Sequence, residues 1–412
     1  MRILFIHQNF PGQFKLLPAC LAQEADNQVV CLGGASNIAQ QNHRLPFQWF
    51  CYNARLPKEP QSHHYLHSFE QAIRRGQDVV TACKQLRASG FVPDLIIGHP
   101  AWGELLFIKD LFPVARLIAY FEFFYQDSGA DFGFDPEFRS TFDDRCKLRI
   151  RNSTQLHALS ECDAGISPTS WQHSTYPVRE QPRIRVIHEG FNLDLVRRDA
   201  KASFRLPDGR KLTRQEKVIT FVSRQLEPYR GFHVFMRALP ALQRAIPDAQ
   251  FVIVGGDGVS YGSPPPPPYT SYRVKLLAEV GDQIDASRTH FVGRLPYTQY
   301  LSLMQISRLH VYLTYPFVLS WSMLEAMACG APVLGSATPP VKEVIRDGVN
   351  GYLFDFFNVD ELVACAVKIL AQNEGITSAI REAARHEIES RFSFNQNSLP
   401  AYQQLIRDVI LS

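Results

Sequence analysis

No uninterrupted run of about eighteen apolar residues occurs in this 412-residue chain, so no segment reads as a membrane-spanning helix. The opening Met1-Arg2-Ile3-Leu4-Phe5-Ile6-His7 meets a polar side chain too soon to hold the core of a secretory signal peptide. Closely spaced cysteines are missing too. The eight stand at positions 20, 31, 51, 83, 146, 162, 329 and 365, which excludes a CxxC, a zinc-knuckle spacing and a compact disulfide framework. Most lie in apolar runs, as in Val29-Val30-Cys31-Leu32, where a thiol behaves as a small buried hydrophobe. A reducing cytoplasm is the expected setting, with the protein soluble or at most peripheral on the inner face of a membrane. Charge of one sign is also absent: 43 Lys plus Arg against 40 Asp plus Glu leave a formal +3. That gives no case for nucleic acid as a partner.

What is present is ordinary globular composition, 45% apolar and 20% charged, in a chain long enough for two domains. Short apolar runs recur at 2–7, 28–32, 94–98, 116–121, 163–167 and 185–188, then again at 217–223, 250–254, 289–293, 309–313, 332–335 and 351–354. Runs such as Leu95-Ile96-Ile97 and Phe251-Val252-Ile253-Val254 are apolar on both strand faces, as parallel strands covered on each side must be. Helix-length segments separate them. The pattern predicts an α/β protein: two Rossmann-like, doubly wound domains of six strands each, facing a deep cleft. The expected domains are 1–190 and 191–394, with a polar junction at 192–215. A last helix over about 395–412, apolar at Leu399, Tyr402, Leu405, Ile406, Val409 and Ile410, is expected to pack back onto the first domain. The five prolines 264–268 require a loop.

Ligands of doubly wound domains sit at the carboxyl ends of the strands, and the informative segments lie there. Residues 315–330 read Y-P-F-V-L-S-W-S-M-L-E-A-M-A-C-G, a strand, a loop and a short helix closed by Gly330. Ser322 and Glu325 stand three apart, which fits a capping box. The alternative is functional: free N–H groups near Ser322, Met323 and Leu324 receive phosphate while Glu325 accepts from sugar hydroxyls. Residues 222–231, V-S-R-Q-L-E-P-Y-R-G, place Arg224 and Arg230 across a strand-to-helix turn. These are either bidentate phosphate ligands or surface cations paired with Glu227. Gly256, in Gly255-Gly256-Asp257-Gly258, either lines a nucleotide pocket or makes a tight turn. Glu122, an acid among Tyr120, Phe121, Phe123, Phe124 and Tyr125, is a salt-bridged strand end or part of an acceptor pocket. The basic run Arg145, Lys147, Arg149, Arg151 is a solvated face or a contact with anionic membrane.

The combination R-x5-R-G followed about 100 residues on by L-E-A-M-A-C-G-x-P-V resembles the family 4 retaining glycosyltransferases of the glycosyltransferase-B fold. V-I-H-E-G-F-N at 186–192 and E-V-I-R-D-G-V-N-G at 343–351 add to the likeness. The resemblance implies that Arg224 and Arg230 hold the diphosphate of a nucleotide-sugar donor and that Glu325 grips its ribose. It implies that His99 contacts the donor sugar near the reacting carbon and that Gly12, in Asn9-Phe10-Pro11-Gly12-Gln13, lets the backbone approach phosphate or acceptor. The first Glu of the family's Glu-x7-Glu motif is replaced by Phe317, which leaves the donor sugar undefined.

The implied activity is transfer from a UDP-sugar or GDP-mannose to a hydroxyl acceptor, lipid-linked in one version, in polysaccharide, lipopolysaccharide or glycolipid assembly. No cofactor and no metal are expected, because no D-x-D triplet occurs and arginines supply the positive charge. A nicotinamide dehydrogenase is disfavoured, since His7-Gln8-Asn9-Phe10-Pro11-Gly12 lacks G-x-G-x-x-G. A sugar phosphorylase, an epimerase, or an inactive nucleotide-sugar-binding protein remain alternatives.

Overall fold

Central strands such as Leu95–Gly98 are buried on both faces in the computed structural model, which is described over residues 1–40, 47–54 and 62–412. The chain forms two units, Met1–Gly190 with Phe394–Ser412, and Phe191–Ser393. In the first, β1 (Arg2–Ile6), β2 (Gln28–Gly34), β3 (Gln48–Tyr52), β4 (Leu95–Gly98), β5 (Arg116–Tyr120), β6 (Ala164–Ser167) and β7 (Ile184–Val186) make one parallel sheet. Its order is β3-β2-β1-β4-β5-β6-β7. Alternation within each strand feeds two cores: Leu4, Ile6, Val30 and Ile96 face one side, and Ile3, Phe5, Val29, Leu95 and Ile97 the other.

The second unit opens with a two-stranded antiparallel ribbon, β8 (Phe204–Arg205) and β9 (Lys211–Leu212). Its main sheet holds β10 (Lys217–Gln225), β11 (Ala249–Gly256), β12 (Thr289–Gly293), β13 (Leu309–Tyr312), β14 (Val333–Ser336) and β15 (Tyr352–Phe354). All pairs are parallel in the order β12-β11-β10-β13-β14-β15. The order reverses at β10, which opens a crevice at its carboxyl end.

Two features depart from the sequence expectation. The first sheet has a seventh strand, β3, an edge strand whose Trp49-Phe50-Cys51-Tyr52 run is apolar although only Tyr52 is buried. The junction at 192–215 is not featureless: Phe204, Leu206 and Leu212 pin the β8–β9 ribbon into the second core.

The last helix, Leu399–Leu411, buries Tyr402, Leu405, Ile406 and Val409 against Ile3 and Phe5, whereas Ile410 faces solvent. Arg185 and Asp408 are paired at 2.6 Å beside it. The chain passes so close at Gly190 (φ 75°) that a Cβ there would meet the Phe394 backbone at 2.6 Å. Only glycine fits there. Among the described residues no helix is long and apolar enough to cross a membrane.

His310 sits in mid-β13 with no exposed surface, its Nδ1 3.0 Å from Thr220 Oγ1. Burial pushes its pKa down to about 3, against a smaller pull upward from Thr220. The native ring therefore stays neutral while the unfolded chain takes up a proton below about pH 6.5. Stability from this group is present above pH 6.5 and is lost as pH falls toward 3. Between pH 7 and 5 the loss is about 2 kcal/mol. Urea denaturation should show a pH 7-to-5 loss smaller by about that amount in His310→Leu; identical losses would refute the assignment.

Candidate active site

At the carboxyl end of β10 the second unit holds a cavity of about 350 Å³. Val222, Ser223 and Arg224 reach it from β10, Val254 from β11, and Arg294 and Leu295 from the turn after β12. Tyr300, Ser320 and Ser322 complete the wall. Two exposed guanidiniums, Arg224 and Arg294, thus face the first turn of the helix Trp321–Cys329 across one small space. The early N–H groups of a helix have no intrahelical acceptor and favour an anion.

The N-cap of that helix is Ser320, whose hydroxyl accepts from the Ser322 N–H. Ser322 is therefore inside the helix, and the capping-box reading of Ser322 and Glu325 fails because the helix begins at Trp321. Glu325, 4% exposed, instead accepts from the Tyr297 hydroxyl at 2.7 Å and the Tyr300 hydroxyl at 2.8 Å. Burial first, then the Glu325 charge, push both phenols up, so they remain donors. Met323 and Leu324 have fully buried side chains in the core and can offer a ligand backbone groups alone.

Arg230 lies beneath the pocket rather than in its wall. It is buried, with Nη1 donating to Thr314 Oγ1 at 2.7 Å and to the Val318 carbonyl at 2.8 Å. The Tyr312 hydroxyl, 3.5 Å from the same nitrogen, accepts from the Ser320 N–H at 2.9 Å. Arg230 thereby ties the loop before the helix to the end of β13. Gly231, which follows it at φ 66°, leaves no room for a Cβ against Leu313. Phe317, at the position of the missing family acid, is buried against Tyr229 and Tyr261, with the Arg230 guanidinium 5.9 Å from its ring centre.

Glu227 is not a surface partner of arginine. It is fully buried and accepts from the N–H groups of Ser260, Tyr261 and Gly262 at 3.1–3.2 Å, which anchors the loop that carries the five prolines. Gly256 ends β11 outside the cavity wall, with the Arg294 Nε 2.9 Å from where a Cβ would stand.

A separate group occupies the carboxyl ends of β1, β4 and β5 in the first unit. The Asn9 N–H donates to His7 Nδ1 at 3.0 Å, which assigns the His7 proton to Nε2, 2.7 Å from Gln13 Oε1. Gln13 Nε2 donates to Glu122 Oε1 at 2.6 Å. His99, with no exposed surface, accepts from the Ala101 N–H and stacks on Trp102 at 4.5 Å. Among the described residues its Nε2 has no hydrogen-bond partner, and it lies 3.6 Å from Glu122 Oε2. Gly12 adjoins this group: a Cβ there would fall on the His7 ring.

The basic run of helix Phe142–Arg151 is partly engaged within the first unit. Lys147 pairs with Asp143 at 2.8 Å, Arg145 lies 3.9 Å from Asp127, and Arg151 covers the Tyr125 ring. Arg294 and Tyr300 were not singled out in the sequence. A cation directly after the glycine that ends β12, and two tyrosines three apart on the next helix, were the available signals.

Two parallel-sheet units with an anion-ready pocket at one strand reversal define a class of nucleotide-binding α/β proteins. Residues 25–196 match the Glycosyl transferase family 4 group, and residues 207–387 match Glycosyl transferases group 1. The chain belongs to the family 4, group 1 glycosyltransferases, and the match extends into the first unit, where the sequence motifs were sparse.

It is 28% identical over 231 residues to D-inositol 3-phosphate glycosyltransferase of Mycobacterium marinum, covering 55% of this chain and 46% of that protein. The Mycobacterium avium protein of the same name is 28% identical over 236 residues, 55% of this chain and 50% of the relative. The chain thus spans about half the length of the curated relatives it matches. Among solved structures it resembles sucrose-phosphate synthase of Thermosynechococcus elongatus over the whole of both chains (TM-score 0.72, 17% identity). It also resembles HepE of Anabaena, in complex with UDP and glucose, over 99% of this chain and 100% of HepE (TM-score 0.67, 19% identity). These likenesses identify the glycosyltransferase-B fold.

Removing one donor from a buried carboxylate costs about 1.5–3 kcal/mol. Tyr300→Phe should lower the stability of the second unit by that amount in urea denaturation; an unchanged midpoint would show that Glu325 does not depend on it.

Proposed function

We propose that this protein is a retaining glycosyltransferase whose second unit binds a nucleotide-diphosphate sugar and whose first unit binds a hydroxyl acceptor. The observation that carries the reading is the convergence of Arg224 and Arg294 with Ser320 and Ser322 at a helix start around one cavity. Guanidinium forks beside a helix N-terminus suit a pyrophosphate. The volume lies at the low end of small-molecule sites, about 300–1,000 Å³. Glu325, held by Tyr297 and Tyr300 beside the cavity, is the group suited to ribose hydroxyls. A UDP-sugar is the preferred donor class, since HepE is described with UDP-glucose; GDP-mannose is the alternative.

In the proposed reaction the bond from the anomeric carbon to the phosphate oxygen breaks. A bond to the acceptor oxygen forms on the same face, and the acceptor proton passes to the departing phosphate. Negative charge develops on that phosphate, where Arg224 stabilises it. Arg230 acts by holding the loop that leads to Ser320. In the first unit, His99 and Glu122, coupled through Gln13 to His7, are suited to sugar or acceptor hydroxyls. Because arginines supply the positive charge, transfer is expected to proceed without a divalent ion.

Preorganised donors to a developing anion are worth about 3 kcal/mol each. Arg224→Ala should therefore lower kcat on the order of a hundredfold, while Arg197→Ala stays near wild type; equal effects in folded protein would refute the assignment. A thermal-shift and transfer screen across nucleotide sugars identifies the donor, and donor binding without transfer or hydrolysis would favour an inactive binding protein, a reading that Phe317 motivates. Activity should survive excess EDTA, and a loss restored by Mg²⁺ or Mn²⁺ would overturn metal independence.

A further inference from the structure

Four guanidiniums, those of Arg198, Arg214, Arg308 and Arg381, gather at the amino edge of the second sheet. Arg308 directly precedes β13, and its backbone N–H donates to the Val218 carbonyl at the start of β10. Arg214 stands just before β10, and its Nη2 lies 3.5 Å from the Gly330 carbonyl at the end of helix Trp321–Cys329. Arg198 packs on the same glycine, its Cδ 3.5 Å from where a Cβ would stand. Arg381 comes from helix Glu374–Phe392, one turn ahead of Arg385, whose Nη1 donates to the Ala328 carbonyl of that same helix end. The cavity described above lies at the other end of the strands: Arg224 in its wall is seven residues along β10 from Lys217, roughly 23 Å at about 3.3 Å per residue.

Opposite charge is scarce here. Among the described residues, the only carboxylate hydrogen-bonded to these four side chains is Glu374, on Arg381 Nη1 at 2.6 Å. Arg381 is 5% exposed, yet among the described residues its Nε and Nη2 are buried without an acceptor, and so is Nη1 of Arg214. The end of the Trp321–Cys329 helix satisfies Arg214 Nη2 and Arg385 but leaves those three N–H sites unmet. Burial, then Arg198, Arg381 and Arg308, push Arg214 down to about 10. Burial lowers Arg381 as well, with Glu374 opposing and Arg308 and Arg198 adding to the effect. Exposure is graded from buried Arg381 through half-buried Arg214 and Arg308 to exposed Arg198, so the group opens to solvent.

We propose that these arginines form a binding site for a phosphate-class oxyanion, distinct from the donor pocket. A phosphate offers several acceptor oxygens to planar forks and cancels the repulsion among them. It would meet the orphaned N–H groups of Arg381 and Arg214 together. The inference does not depend on the proposed activity, because no residue of the donor pocket contributes to it.

The test uses the full chain with inorganic phosphate as probe, read by calorimetry and thermal shift, at saturating UDP and separately in Arg224→Ala. Saturable binding at millimolar phosphate or below is expected in both, weakened at least about tenfold by Arg198→Gln with Arg214→Gln. Arg198→Gln alone changes an exposed side chain and should weaken phosphate binding without altering the unliganded melting temperature. Co-sedimentation with phosphatidic acid vesicles, lost in the double variant, would identify a lipid headgroup as the source; phosphate binding without co-sedimentation would identify a soluble phosphate. Phosphate binding that is absent, that disappears in Arg224→Ala, or that persists unchanged in the double variant would overturn the proposal.

Discussion

A buried guanidinium must have its charge answered by fixed acceptors, and Arg230 turns that requirement into architecture. Its bonds to Thr314 Oγ1 and the Val318 carbonyl hold the loop between β13 and the next helix. Through Tyr312 the same nitrogen is linked to the backbone of Ser320, the residue that starts the helix. The position of Ser320 and Ser322 in the cavity wall therefore depends on a side chain that does not line the cavity. Phe317 belongs to the same device. Its ring lies against Tyr229, Tyr261 and Arg230.

Carboxylates do comparable work on either side of that loop. Glu227 gathers three successive backbone N–H groups and anchors the segment before the proline run. Glu325 is suspended between two tyrosine hydroxyls. Each is buried and hydrogen-bonded, so each specifies a backbone path more than it supplies surface charge. In the first unit the polar group is less complete. His7, Gln13 and Glu122 form a connected chain, whereas the Nε2 of His99 stands near Glu122 without a hydrogen bond. An unmet donor beside a half-buried carboxylate is the arrangement expected where a ligand supplies the remaining contact.

Legibility in the sequence followed the range of the interaction. Strands buried on both faces, such as β4, announce themselves as unbroken apolar runs, and the recurrence of short, mostly apolar runs marked twelve strands in all. β3 was not among them: its Trp49-Phe50-Cys51-Tyr52 run is apolar, but on an edge strand all of it except Tyr52 stays at least part-exposed. Arg224 and Ser322 were legible because they stand in ordered motifs at strand ends. Arg294 and Tyr300 were not, since they reach the cavity from a different strand and helix. The Ser322–Glu325 spacing misled because the N-cap is Ser320, two residues earlier, and a shift of phase at a helix start changes every capping partner.

By itself the sequence determined what local chemistry can encode: the α/β alternation, the helix stop at Gly330, the amphipathic last helix, and a family likeness resting on contiguous motifs. The tertiary structure decided which charges are answered. It placed Arg224 in the wall and Arg230 underneath, gave Glu325 to two tyrosines, and gathered Arg198, Arg214, Arg308 and Arg381 from four separate segments. The physical reason is that backbone conformation and burial period are set by neighbours along the chain. The partner of a charged side chain is set by whichever groups the folded sheet brings within about 3 Å.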